Sequence, residues 1–235
     1  MQSVSNRHHH RSCRPNYDPI GRAVHDRSIG ETLPMANSST PAWGELLIGQ
    51  LAFYWDAHLH PRLDGLTDEE YFWEPVPGCL TVRPDADGNY RADPGPRTGP
   101  QPVTTIAWRM MHIAVGCFVT RSSTFFGAGS VGDDADMFDP RHVPADLPHT
   151  AAEGVAFLED SYRAWHGHVS TLGDAALQLP LGPKGAYFSD EPMAALIVHV
   201  NRETMHHGGE IGLLRDLFAA TGAVRRTDRL AASAS

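Results

Sequence analysis

Four long stretches of this chain repeat apolar residues at the three-and-four spacing of an amphipathic helix, and Pro- and Gly-rich connections separate them. The first runs from Trp43 to about His60, with Leu47, Leu51, Tyr54 and His58 on one stripe and Pro61 and Gly65 beyond its end. A second covers about 103–126. The third, about 151–172, carries Val155, Leu158, Tyr162, Trp165 and Val169, and the fourth spans about 190–220 and stops near Gly222. No segment reads convincingly as a strand, so the apolar stripes must bury one another. The expected fold is all-α, an antiparallel four-helix bundle with a long loop after helix 1. That loop, Leu66 to Pro102, contains a turn at Asp87-Gly88 and short extended pieces around Cys79–Val82. It is too long for a simple connection and is a candidate lid or pocket wall.

Residues 1–34 lack any sustained apolar period and read as a disordered extension outside the fold, with Met35 as a natural beginning. His8, His9 and His10 could form a small metal-binding tract, but the composition favours a tail. The bundle domain is then 35–225, with a flexible tail over 226–235. Cys13, Cys79 and Cys117 are odd in number and far apart, which excludes a disulfide framework and points to a reducing cytoplasm. No apolar run approaches the ~20 residues of a membrane span, and the N-terminus lacks the apolar segment of a signal peptide. A formal charge of −9, with Lys184 as the sole lysine, argues against gripping a nucleic-acid backbone. The unusual entry in the composition is histidine, at 14 residues. Imidazole is the commonest metal ligand and the usual proton shuttle, so the positions of the histidines carry the functional question.

The fourth helix carries His199, His206 and His207, in LIVHVNRETMHHGGEIGLLRDLF (196–218). On a helical wheel Glu203, His207, Glu210 and His199 all fall within about 40° of one direction, among the leucines of the stripe. An ionised carboxylate there needs compensation. Glu203 and His207, at i and i+4, can ligate one divalent ion together, as the paired residues of HExxH helices do. On the second helix, His112 shares its face with Thr105, Trp108, Val115, Gly116 and Val119, and could meet that pair across the bundle. Three N/O ligands from two helices would leave positions open for water or substrate. The competing reading makes His112 a hydrogen-bonded core residue and Glu203/His207 a plain polar pair. His58 is another inward histidine, a candidate ligand or shuttle. His199 and His206 flank the same face.

The segments TTIAWRMMHIA (104–114) and HVNRETMHHGGEIGLLRDL (199–217) resemble the DinB/YfiT-like superfamily, and EEYFWEPVPGC (69–79) looks like its actinobacterial members. That resemblance, from Trp43 to about Ala220, implies a four-helix bundle holding a divalent metal on three ligands. His112 matches the ligand on the second helix, and His207-Gly208-Gly209-Glu210 matches an HxGQ-like turn after the last-helix pair. Glu203 stands where many members have His, which is similar to the mycothiol-dependent maleylpyruvate isomerase branch. The adjacent His206 leaves the register open by one residue, but its i−4 partner would be Arg202, which cannot ligate. The resemblance implies a metal-dependent S-transferase or isomerase with a low-molecular-weight thiol as cosubstrate and Zn, Ni, Fe or Mn as the ion. Trp108, Tyr54, Trp55 and the Trp73 loop would line an aromatic pocket, or else pack as core. One alternative is metal-assisted hydrolysis with Glu210 or His199 as base; another is a non-catalytic binding or dimerisation module. The expected partner is a small molecule, with neither nucleic acid nor membrane, and a homodimer is left open.

Overall fold

The computed structural model describes residues 42–96, 98–127 and 131–233, with side chains through Gly222. The expectation for residues 1–34 lies outside them. Helix α1, Trp43–Tyr54, continues through a π turn, Trp55–Leu59, and a 3-10 turn, His60–Arg62. Short α2 covers Asp68–Tyr71, and strands β1 (Val82–Pro84) and β2 (Tyr90–Ala92) pair antiparallel across the Asp87-Gly88 turn. Next come α3 (Ile106–Met111), a π-helical stretch from His112 to Val119, and α4 (Thr120–Phe126), all one continuous rod. Then follow α5 (Ala151–Val169), short α6 (Asp174–Leu177) and α7 (Met193–Ser233). α1, the α3–α4 rod, α5 and α7 pack as a closed ring of neighbours around one core. Among the described residues the fold is all-α apart from the small hairpin.

Local chemistry sets the ends. Thr105 caps α3 by accepting from the Trp108 amide, and Thr150 with Glu153 forms a reciprocal capping box on α5. α4 stops at Gly127, whose left-handed φ of 67° suits glycine. α7, expected to stop near Gly222, continues to Ser233. One interior glycine costs only about 1 kcal/mol relative to alanine, too little to end a helix flanked by Ala, Leu and Arg.

Two wide turns change which faces point inward. Along α1 and the turns that continue it, the buried apolar side chains are Leu51, Trp55, Leu59 and Leu63, a strict four-residue repeat that a helix keeps on one side only when it is underwound. His58, expected on the inward stripe, is therefore exposed. In the α3–α4 rod the deepest residues are Met110, Ile113, Ala114 and Phe118, while Trp108, His112 and Gly116 sit on a shallower side. α7 buries Ile197, Val200, Thr204 and Ile211 at its centre. Glu203, expected inside the stripe, stands on its shoulder toward α3.

The connections build walls over that shallow side. Tyr90 receives Leu147 through its carbonyl (3.0 Å) and donates its amide to Asp146 (2.7 Å), which ties the hairpin to the 131–150 segment. Cys79 and Cys117 are buried and free, and burial pushes the Cys117 thiol up to about 12. Cys117 is therefore an inert packing group at neutral pH. Among the described residues no helix is long and apolar enough to cross a membrane.

Candidate metal centre

His112 opens the π-helical stretch on one rod, and Glu203 and His207 stand one turn apart on α7. Their side chains meet. Glu203 Oε2 lies 3.3 Å from His207 Nε2 and 3.9 Å from His112 Nε2, and the two imidazoles meet edge to face at 4.6 Å between centroids. Each of the three offers a ligand atom within 4.8 Å of the others. Ligands bound tetrahedrally at about 2.1 Å stand roughly 3.4 Å apart, so a divalent ion fits with small side-chain adjustments.

The protonation states suit ligation. Burial, with His207 alongside, pushes the His112 imidazole down to about 4 against a smaller upward pull from Glu203. It is neutral at pH 7, with a lone pair to give. Burial alone would raise Glu203, but the Arg202 hydrogen bond and the nearby His199 and His207 outweigh it and hold the carboxyl below its usual value.

Behind this cluster lies a second layer. His207 Nδ1 is 2.7 Å from Glu210 Oε2 and 3.2 Å from Arg109 Nη1. Nδ1 cannot both donate to the carboxylate and accept from the guanidinium. At 2.7 Å, two acceptors would repel, so the proton sits on Nδ1 and donates to Glu210, leaving Nε2 free on the ligand side. Arg109 Nε, 2.9 Å from Glu210 Oε2, is the carboxylate's counter-charge. Trp108 stacks on His112 (5.2 Å, 7°) and is itself held by its indole N–H on the Asp93 carbonyl (2.9 Å). Both imidazoles, of His112 and His207, are thus fixed in orientation.

A competing cluster, His206, His207 and Glu210, is also close enough to share an ion. It is the poorer site, because Arg109 already neutralises Glu210 and His206 is mostly exposed, 3.5 Å from the carboxylate. Glu210 is thus held behind His207, between that ring and Arg109. His199 Nδ1 accepts from Arg202 Nη2 at 2.7 Å and lies 3.7 Å from Glu203 Oε1. Such acceptance places the neutral ring's proton on Nε2, a donor position and not a basic one.

Two cavities flank the cluster. One of about 270 Å³ lies between His112, Trp108 and the β2 residues Arg91 and Ala92. The other, about 320 Å³, is bounded by His112, Glu203, His199, Arg121, Met137 and Phe138. The long loop after helix 1 is thus a wall. Of the aromatics expected in the pocket, only Trp108 borders these spaces. Trp55 stacks on Tyr162 (4.0 Å), Trp73 packs on Phe218, and the Tyr54 hydroxyl donates to the Met205 carbonyl.

The model of the DinB superfamily matches residues 50–211. The chain belongs to the DinB superfamily. No curated protein and no solved structure matches it. The matched span of this DinB domain contains His112, Glu203, His207 and Glu210. Their segment at 207–210 is uninterrupted helix instead of the turn expected, and Gly208 serves there to let α1 approach: a β-carbon would stand 2.5 Å from the Tyr54 hydroxyl. Sequence reasoning missed Arg109 and Arg121. The available signal was a lone cation within each apolar stretch of the second helix, which burial makes costly without a purpose.

Proposed function

We propose that this DinB domain is a metal-dependent S-transferase or isomerase that joins a small thiol to an electrophilic acceptor. The observation that carries the reading is the convergence of His112, Glu203 and His207 beside a cavity, with three protein ligands and no fourth in the group. A divalent ion held there would supply Lewis acidity, which makes a bound thiol nucleophilic at neutral pH. His112 and His207 would bind through Nε2 and Glu203 through its carboxylate. Glu210, braced by Arg109, positions His207 by taking its Nδ1–H. Trp108 keeps the His112 ring in plane and helps close one cavity against water. His199, with its proton on Nε2, is placed to donate to an anion developing on the acceptor. Thiol is preferred to water because the site offers a donor here and no free base, and because the Glu/His ligand pair resembles the mycothiol-dependent branch.

The test is metal content and turnover together. His112→Ala is expected to lose bound metal and activity in parallel, since it deletes one of three protein ligands. Wild-type protein should consume electrophilic acceptors only when a mycothiol-type thiol is supplied. Equal turnover without thiol would make the protein a hydrolase, and full metal occupancy in His112→Ala would discard the site.

A further inference from the structure

Arg121 is 8% exposed, yet it pairs with no carboxylate among the described residues. Its Nη1 donates to the Thr120 hydroxyl (3.0 Å) and the Met137 carbonyl (2.6 Å), and Cζ lies 5.2 Å from the Phe138 ring centroid. Nε is buried and has no hydrogen-bond partner. A guanidinium removed from water without an anion is costly, so its retention calls for an explanation. Its position supplies one. Arg121 lines both the 320 Å³ cavity beside His112 and Glu203 and an outer cavity of about 460 Å³ that continues past His199. Met137 and Phe138 line both spaces too, so the lining around the cation is apolar. The acids that line the two spaces make no ion pair with it, and Glu203 is held by Arg202 (3.2 Å). Asp139 is held by Arg141 (2.7 Å), and the exposed Glu191 borders only the outer space.

We propose that Arg121 is the anchor for the carboxylate of the acceptor substrate, an acid with an apolar body that lies in the paired cavities with its reactive end toward His112 and Glu203. A carboxylate would take the hydrogen bonds that Nε and the second amino group leave unmade, and its body would lie on Met137 and Phe138. Planar two-point recognition of this kind is what guanidinium does and ammonium does not. Naming the anion as the acceptor rests on the proposed function; the carboxylate site itself does not, because it can be measured on metal-free protein.

The experiment titrates metal-free protein at pH 7 by calorimetry with acetate, benzoate and phenylacetate, and with benzamide as the neutral counterpart of benzoate. At least one aromatic acid is expected to bind saturably, and benzamide roughly tenfold or more weaker, the loss typical of a charge-assisted hydrogen bond. Arg121→Met should weaken the acid by a similar factor while keeping the circular dichroism and zinc affinity of the wild type. Arg121→Lys should recover only part of the binding. The proposal is overturned if no acid binds, if benzamide matches benzoate, or if Arg121→Met binds the acid unchanged. Should Arg121→Met fail to fold, the acid-to-amide ratio on wild-type protein decides alone. Loss of metal binding with retained acid binding would instead remove the metal reading and leave this one standing.

Discussion

Two arginines divide the molecule. At one end Arg215 on α7 meets Glu70 on α2 through both carboxylate oxygens (2.8 and 3.2 Å) and also donates to the Arg62 and Asp64 carbonyls. Glu70 is 6% exposed, and the cleft it borders pairs its other cation too, Arg62 with Asp216. At the other end Arg121 is placed deeper still but carries only a hydroxyl and a carbonyl. A cation whose hydrogen bonds are all made within the chain locks α2 and the first connection to α7. A cation left without an anion contributes nothing comparable to stability, and its charge is directed at a cavity. The same residue type therefore reports opposite uses, and the partner list distinguishes them.

The largest effect that could break this contrast lies at the closed end. Glu70→Ala should cost about 3–5 kcal/mol in denaturant unfolding, because it strands Arg215 without its anion. Gly154→Ala, beside the same region, should cost about 1–3 kcal/mol, since its new β-carbon would stand 2.6 Å from the Tyr71 hydroxyl. Arg121→Met should stay within about 1 kcal/mol of wild type, because a buried charge without a carboxylate is replaced by an apolar chain. Equal losses for Glu70→Ala and Arg121→Met would erase the distinction.

A smaller effect sharpens it within the site. Glu210→Gln keeps the shape but weakens the hold on the His207 Nδ1 proton, so zinc affinity should fall about 10–100-fold with little change in unfolding. An unchanged affinity would return Glu210 to a role outside the ligand's support.

The smallest effect concerns Gly116, which lies on the open side. A β-carbon there would meet only the His112 ring, Nδ1 at 3.8 Å and Cε1 at 3.9 Å, both ordinary contacts. Gly116→Ala should leave stability unchanged or raise it by about 0.5–1 kcal/mol, the helical gain of alanine over glycine, while narrowing both spaces beside His112. Marked destabilisation would mean that this face is packed as tightly as the closed end.

Much of this was legible in the residues, and the parts that were not share a cause. Helical spacing and Gly/Pro breaks were enough for the four long helices, since a periodic apolar stripe of that length has few other solutions. The i, i+4 spacing of Glu203 and His207 and the shared face of His112 were likewise readable, because helix geometry is set by the backbone alone. The short β1–β2 hairpin was expected only as scattered extended pieces, since three-residue strands carry no period of their own. Which way each stripe turned was a tertiary matter. The π turns at Trp55–Leu59 and His112–Val119 add a residue to the winding, and they rotated His58 to solvent and His112 to the cavity side. Such underwinding arises from packing against neighbouring helices and leaves no local mark in the chain. The contact of Arg109 with His207, 98 positions away, which completes the bracing of Glu210, and the missing anion of Arg121 are likewise set by which neighbours the fold brings together. The sequence by itself determined the bundle and the identities of the groups that could chelate. Only the tertiary structure decided which of them face one another, because a side chain's charge state and partners follow from burial and neighbours that a linear spacing does not contain.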